Sequence, residues 1–247
     1  MHRYCCNCSP ELICSDFWGK YSVEEFIQRG RFMEKIKSLL SETSPIRWLF
    51  YGDSITHGAK HTCGKRDFSE LFRERILWEM QRRNDLVLNS AYSGFKTVDL
   101  LRDFDFRAAA FKPHVAFVMI GTNDSASEID LAEYQKQLNE LLDKFAAIDC
   151  QVVLQTPPPV LRNLDEQRVR VPEFAEAARQ VAQKRNVPLI DHFKLWQECP
   201  AEFYLHADVL HPNALGHIKL AHDIFKAMDI FDIQSSWVCR FYAPESL

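Results

Sequence analysis

No apolar run in these 247 residues approaches the roughly 18 needed to span a bilayer, and Met1 to Lys20 has no apolar core of a signal peptide. The expectation is therefore a cytoplasmic chain with no membrane partner. An excess of basic charge is also missing: the net charge is -4 and the pI near 6.1, where a nucleic-acid binder would present a basic field. There is no internal repeat, low-complexity tract or linker. A complete metal motif is absent too. Cys5 and Cys8 have zinc-ligand spacing, but no second such pair follows. Cys5, Cys6, Cys8 and Cys14 accordingly read as reduced thiols of an N-terminal arm, with no metal expected.

What is present is an ordinary globular composition, 47% hydrophobic and 26% charged, at a length that suits one α/β domain. Short apolar runs alternate with segments of helical periodicity. The strand-like runs are Ile46 to Tyr51, Leu86 to Leu88, Val115 to Ile120, Val152 to Leu154 and Val187 to Ile190. Helical spacing covers Val23 to Leu40, with Ser22 and Glu25 as a capping pair and Gly30 as a weak point. It returns at Phe68 to Gln81, Thr97 to Phe111, Leu131 to Ile148, Pro172 to Lys184 and Ala214 to about Met228. Alternation of this kind implies a three-layer α/β/α sandwich around a five-stranded parallel sheet, flavodoxin-like with strand order 2-1-3-4-5. The organisation expected is an arm and helix over 1–44, a domain over 45–228 and a tail over 229–247. Trp237, Val238, Phe241 and Tyr242 in that tail are suited to packing on the domain or on a second subunit, so an oligomer is left open.

The polar motifs each follow a strand, where ligands bind in such sheets. Tyr51-Gly52-Asp53-Ser54 places a serine where a strand gives way to a loop, beside a glycine that allows a tight turn. A nucleophilic serine needs a base, a group to orient that base, and donors for the oxyanion. His211, ahead of the last helix, is the candidate base, and Asp208 three residues earlier the candidate orienting acid. Asn123 offers a side-chain N–H, joined by the backbone N–H groups of Ser54 and Gly94.

Taken together, Gly52-Asp53-Ser54, Asn89 through Gly94, Gly121-Thr122-Asn123-Asp124 and Asp208-Val209-Leu210-His211 resemble, in order, the four blocks of the SGNH (GDSL) hydrolases. The resemblance spans about Pro45 to Met228. It implies Ser54 as nucleophile, Gly94 and Asn123 as oxyanion donors, His211 as base and Asp208 as its partner, with no cofactor. Ala91 stands where many members have glycine, which touches only local turn geometry. Asp53, Thr122 and His57 are candidate substrate-binding residues, although Asp53, like Asp124, also reads as a brace of its loop. His61, His114, His192, His206 and His217 lack a motif partner and read as surface or satisfied core histidines. The implied reaction is hydrolysis of a small ester by an acyl-enzyme route, on short acyl groups such as O-acetyl on a sugar. Longer acyl chains, as in lysophospholipases and thioesterases, and ligand binding without catalysis are the alternatives. His57 to Asp67 and Pro157 to Arg170 are the expected specificity walls, with Arg162, Arg168 and Arg170 suited either to an acidic substrate or to an exposed charged loop.

Overall fold

The computed structural model describes residues 34–161, 166–197 and 206–241. The cysteines at 5, 6, 8 and 14, the capping pair Ser22 and Glu25, Gly30, Arg162 and Tyr242 lie outside the described residues. Residues 34–41 are helical (α1). Five strands follow, β1 (Arg47–Gly52), β2 (Leu86–Asn89), β3 (Val115–Met119), β4 (Gln151–Gln155) and β5 (Leu189–Ile190), all parallel in the order β2-β1-β3-β4-β5.

The inner strands are buried on both faces, which is why their sequences are unbroken apolar runs. Alternate side chains enter opposite cores. Trp48 and Phe50 of β1 join Val115, Phe117 and Met119 of β3 on one face, where Phe50 stacks on Phe117 at 4.9 Å. Leu49, Tyr51, Ala116 and Val118 fill the other. The first face is covered by α3 (Phe68–Glu74), which continues as a π-helical turn to Glu79, and by α9 (Ala214–Ala227); the second is covered by α4 (Thr97–Arg102), α6 (Leu131–Ala147) and α7 (Val171–Arg185).

Two elements depart from expectation. The single helix expected over Thr97 to Phe111 is broken at Asp103 into α4, α5 (Phe104–Arg107) and one 3-10 turn, Ala109–Phe111. The bend puts Phe104 in the core while Phe106 faces solvent, and Arg102 holds the Asp103 carboxylate at 2.7 Å. The second is a short helix outside the predicted helical segments, α8 (His192–Gln197). Asp191 Oδ1 accepts the Lys194 N–H at 3.2 Å, and Thr156 Oγ1 accepts that of Phe193 at 2.9 Å.

Residues 236–239 of the C-terminal tail pack on the domain. Val238 and Cys239 are buried in the first core, and Glu79 accepts the N–H groups of Trp237 and Val238, each at 3.0 Å, and the Ser236 hydroxyl. Cys63, Cys150 and Cys239 are free thiols. Among the described residues no helix is long and apolar enough to cross a membrane.

Candidate active site

In this strand order β1 has neighbours reached by connections of opposite sense, which opens a crevice beyond the carboxyl ends of β1 and β3. Gly52 pairs with Met119 there, and a Cβ at 52 would lie 2.3 Å from the Met119 carbonyl oxygen, so only glycine lets the strands close at this point. The chain turns at once into α2 (Ser54–His57), capped by Asp53, whose Oδ1 accepts the Ile55 N–H at 2.9 Å. Ser54 thus sits at the first turn of a helix, where backbone N–H groups have no intrahelical acceptor.

The histidine arrives on a loop held by short-range bonds. His206 and Pro212 form an antiparallel bridge, the Ala207 N–H donates to the His211 carbonyl at 2.7 Å, and Asn213 Oδ1 accepts the N–H groups of Leu215 and Gly216 to start α9. Within this loop Asp208 Oδ1 accepts the N–H groups of Leu210 at 2.8 Å and His211 at 2.6 Å. The expected nucleophile, base and orienting acid then lie in one line. Ser54 Oγ is 3.0 Å from His211 Nε2, and His211 Nδ1 is 2.9 Å from Asp208 Oδ2. A carboxylate facing Nδ1 requires the proton there, which leaves the Nε2 lone pair for the serine hydroxyl. Desolvation works to raise the Asp208 pKa, but the backbone and ring donors of Leu210 and His211 outweigh it and hold the carboxyl at about 2.

In the loop after β3, Asn123 Nδ2 donates to the Phe95 carbonyl at 3.0 Å, which fixes the amide and leaves its second N–H free to point elsewhere. Gly94 has φ +85°, a backbone that side-chain-bearing residues rarely adopt, with open space around it. Asn89 joins the motifs by donating to the Thr56 carbonyl at 2.7 Å and to Ser69 Oγ at 3.1 Å, while its Oδ1 accepts the Ala91 N–H.

Of the expected substrate contacts, Asp53 and Thr122 are buried and face the protein interior, whereas His57 is half-buried beside Ser93, its Nδ1 3.0 Å from Ser93 Oγ. Burial, opposed by the Ile55 N–H and reinforced by the nearby Asp124 carboxylate, pushes the Asp53 pKa up to about 7. Asp124 Oδ1 accepts the Thr97 N–H at 3.0 Å, tying the start of α4 to this loop. Arg170 is turned back onto Glu173 at 3.3 Å and onto the face of Phe174. Four of the lone histidines have ordinary partners: His114 accepts the Arg47 N–H, His217 that of Phe68, His206 faces the Pro159 carbonyl, and His192 bridges Gln155 and Asp223.

His61 is the exception. Its ring lies flat on His211, centroids 3.7 Å apart and planes within 4°, with Nδ1 3.5 Å from Asp208 Oδ2. No motif marks it, because its partners are far away in sequence. His61, Asp208 and His211 offer ligand atoms close enough to share an ion. The parallel rings aim their nitrogen lone pairs along separate planes, however, so an ion bound by both would have to leave both ring planes. The arrangement reads as a stack around one carboxylate.

Comparison with known proteins places these residues in a wider group. The GDSL-like lipase/acylhydrolase family model matches residues 50–218. A rat protein described as isoamyl acetate-hydrolyzing esterase 1 homolog is 28% identical over 222 residues, covering 77% of this chain and 86% of the rat protein. Among solved structures, a lipase/acylhydrolase from Enterococcus faecalis superposes with a TM-score of 0.66 at 25% identity, covering 73% of this chain and 94% of its own. An acetylxylan esterase from Geobacillus stearothermophilus shares the fold with a TM-score of 0.62 at 22% identity, covering 75% and 94%.

Proposed function

The chain belongs to the GDSL-like lipase/acylhydrolase family and is a carboxylic ester hydrolase, and from that premise we propose that it removes short acyl groups, acetyl above all, from carbohydrate hydroxyls through Ser54, His211 and Asp208. The observation that carries the reading is the continuous line from Ser54 Oγ through His211 to Asp208, at 3.0 Å and 2.9 Å. Ser54 Oγ attacks the ester carbonyl carbon while its proton passes to His211 Nε2, and Asp208 stabilises the imidazolium through Nδ1. Negative charge developing on the carbonyl oxygen is met by the N–H groups of Ser54 and Gly94 and by the free amide N–H of Asn123. The imidazolium then protonates the departing alcohol, and water, deprotonated by the same ring, releases the acyl group from Ser54.

The acetyl preference is supported by chemistry shared between the rat relative, described by an acetate ester, and the Geobacillus structure, described by acetylated xylan. Asp53 and Thr122 then act as braces behind the serine. The test is hydrolysis of p-nitrophenyl esters of increasing chain length and of acetylated xylo-oligosaccharides by the wild type and Ser54→Ala. Acetyl esters should be turned over fastest, and the variant should lose at least about 10³-fold in kcat. Equal rates for the two proteins on p-nitrophenyl acetate would exclude Ser54 as nucleophile, and a preference for eight carbons or more would move the substrate to lipids or thioesters.

A further inference from the structure

His61 is delivered by a strained loop. Between α2 and α3 the chain takes four left-handed residues, Gly58, Lys60, Cys63 and Gly64, two of them carrying side chains that disfavour this conformation. The His61 N–H closes the loop on the Ala59 carbonyl at 2.8 Å, and the ring emerges over the face of His211. One carboxylate, Asp208, therefore faces two imidazoles: the His211 ring nitrogen at 2.9 Å and that of His61 at 3.5 Å.

We infer that His61 is a positioning residue for the reaction, whose neutral ring clamps His211 in plane on Asp208 and whose protonated ring switches the base off. The inference rests on His211 acting as the base. In the neutral state the flat contact fixes the His211 plane, so that Nε2 stays aligned with Ser54 Oγ. Protonation of His61 places a full positive charge against the ring that must itself become cationic during attack, and it competes for the Asp208 carboxylate. The two imidazoles then titrate as a pair around one acid.

The surroundings keep His61 neutral until the pH falls. Burial and the adjacent His211 lower its pKa, Lys60 adds to this, and only Asp208 opposes. His217 on α9, buried behind the pair and pushed down to about 3, stays uncharged through the same range. Asp53 titrates nearby near neutrality, but it is common to every protein compared below.

The deciding measurement is the acid limb of log kcat/KM against pH for acetyl ester hydrolysis. If either protonation silences the enzyme, the wild-type limb falls about tenfold per pH unit past the first macroscopic pKa of the pair and steepens to a slope of two, about a hundredfold per pH unit, past the second. His61→Phe keeps a flat ring without a proton, and His61→Asn keeps neither ring nor charge, so both should show a limb one unit shallower, about tenfold per pH unit. A wild-type slope that stays at one below both macroscopic pKa values, or an unchanged slope of two in His61→Phe, overturns the inference. Proton NMR of the imidazole C–H groups gives an answer even if neither variant folds. A biphasic His61 titration that becomes monophasic in His211→Ala supports the pair, and a His61 titration indifferent to that substitution defeats it. Should His211→Ala retain turnover, the assignment of the base fails as well. Loss of turnover in that variant with an unaltered limb in His61→Phe sinks the His61 role alone.

Discussion

Asp53 and Asp208 flank the same serine and make nearly the same local bond, each Oδ1 accepting a backbone N–H two residues on, from Ile55 and from Leu210. Their chemistry diverges because of what surrounds that bond. Asp53 is 0% exposed with a second carboxylate, Asp124, nearby, and its pKa is driven up to about 7. The Asp208 side chain is 43% exposed, receives the His211 N–H and ring as well, and is held at about 2. A local aspartate turn does not distinguish a brace from an orienting acid. The number of donors and the access of water do.

The strongest way to break this comparison is to neutralise each acid in turn and measure kcat on p-nitrophenyl acetate. Asp208→Asn should be the costlier. A buried orienting aspartate is worth about 10⁴ in turnover, and partial exposure reduces that to about 10³ because water can take over some of its role. Asn123→Ala comes next, with a loss of about 10²–10³ if it supplies one oxyanion donor, and with KM little changed. Smallest should be Asp53→Asn, below about tenfold in kcat, since near neutrality the acid is already about half uncharged and its bond to Ile55 needs only an oxygen. A loss in Asp53→Asn as large as in Asp208→Asn would reverse the two roles.

Stability sharpens the contrast with a definite sign. The Asp53 pKa is raised on folding, so folding favours its protonated form. The stability it permits is fully present below about pH 3.8 and is lost as pH climbs towards 7, a displacement worth about 4 kcal/mol. Asp53→Asn should therefore raise the urea midpoint at pH 8 and leave it nearly unchanged at pH 4. Asp208 runs the other way, since its pKa is lowered and its contribution is lost only as pH falls towards 2.

The sheet was legible because β1 and β3 are buried on both faces and therefore spell themselves as apolar runs, and three of the four polar blocks were legible because each follows a strand, β1, β2 or β3; the fourth, Asp208 to His211, sits instead on the loop before α9. What escaped was decided by contacts distant in sequence. The break at Asp103 depends on which of Phe104 and Phe106 finds the core, a choice that periodicity does not register. Helix α8 carried a readable signal, an Asp191 cap before Phe193, Leu195 and Trp196, but it is only six residues long. His61 carried none, because its neighbours Asp208 and His211 come from the opposite end of the chain.

That separation has a consequence in time. Ser54 and the ring that faces it are 157 positions apart, and the connection between them must form four of the five strands before the two can meet. Contacts of such long range form late, once the entropy of closing the intervening chain has been overcome. During synthesis Ser54 is made early and stays without the His211 ring beside it until the loop of residues 206–213 emerges. If Ser54 and His211 carry the proposed reaction, a nascent chain that ends before residue 211 should be inert towards esters.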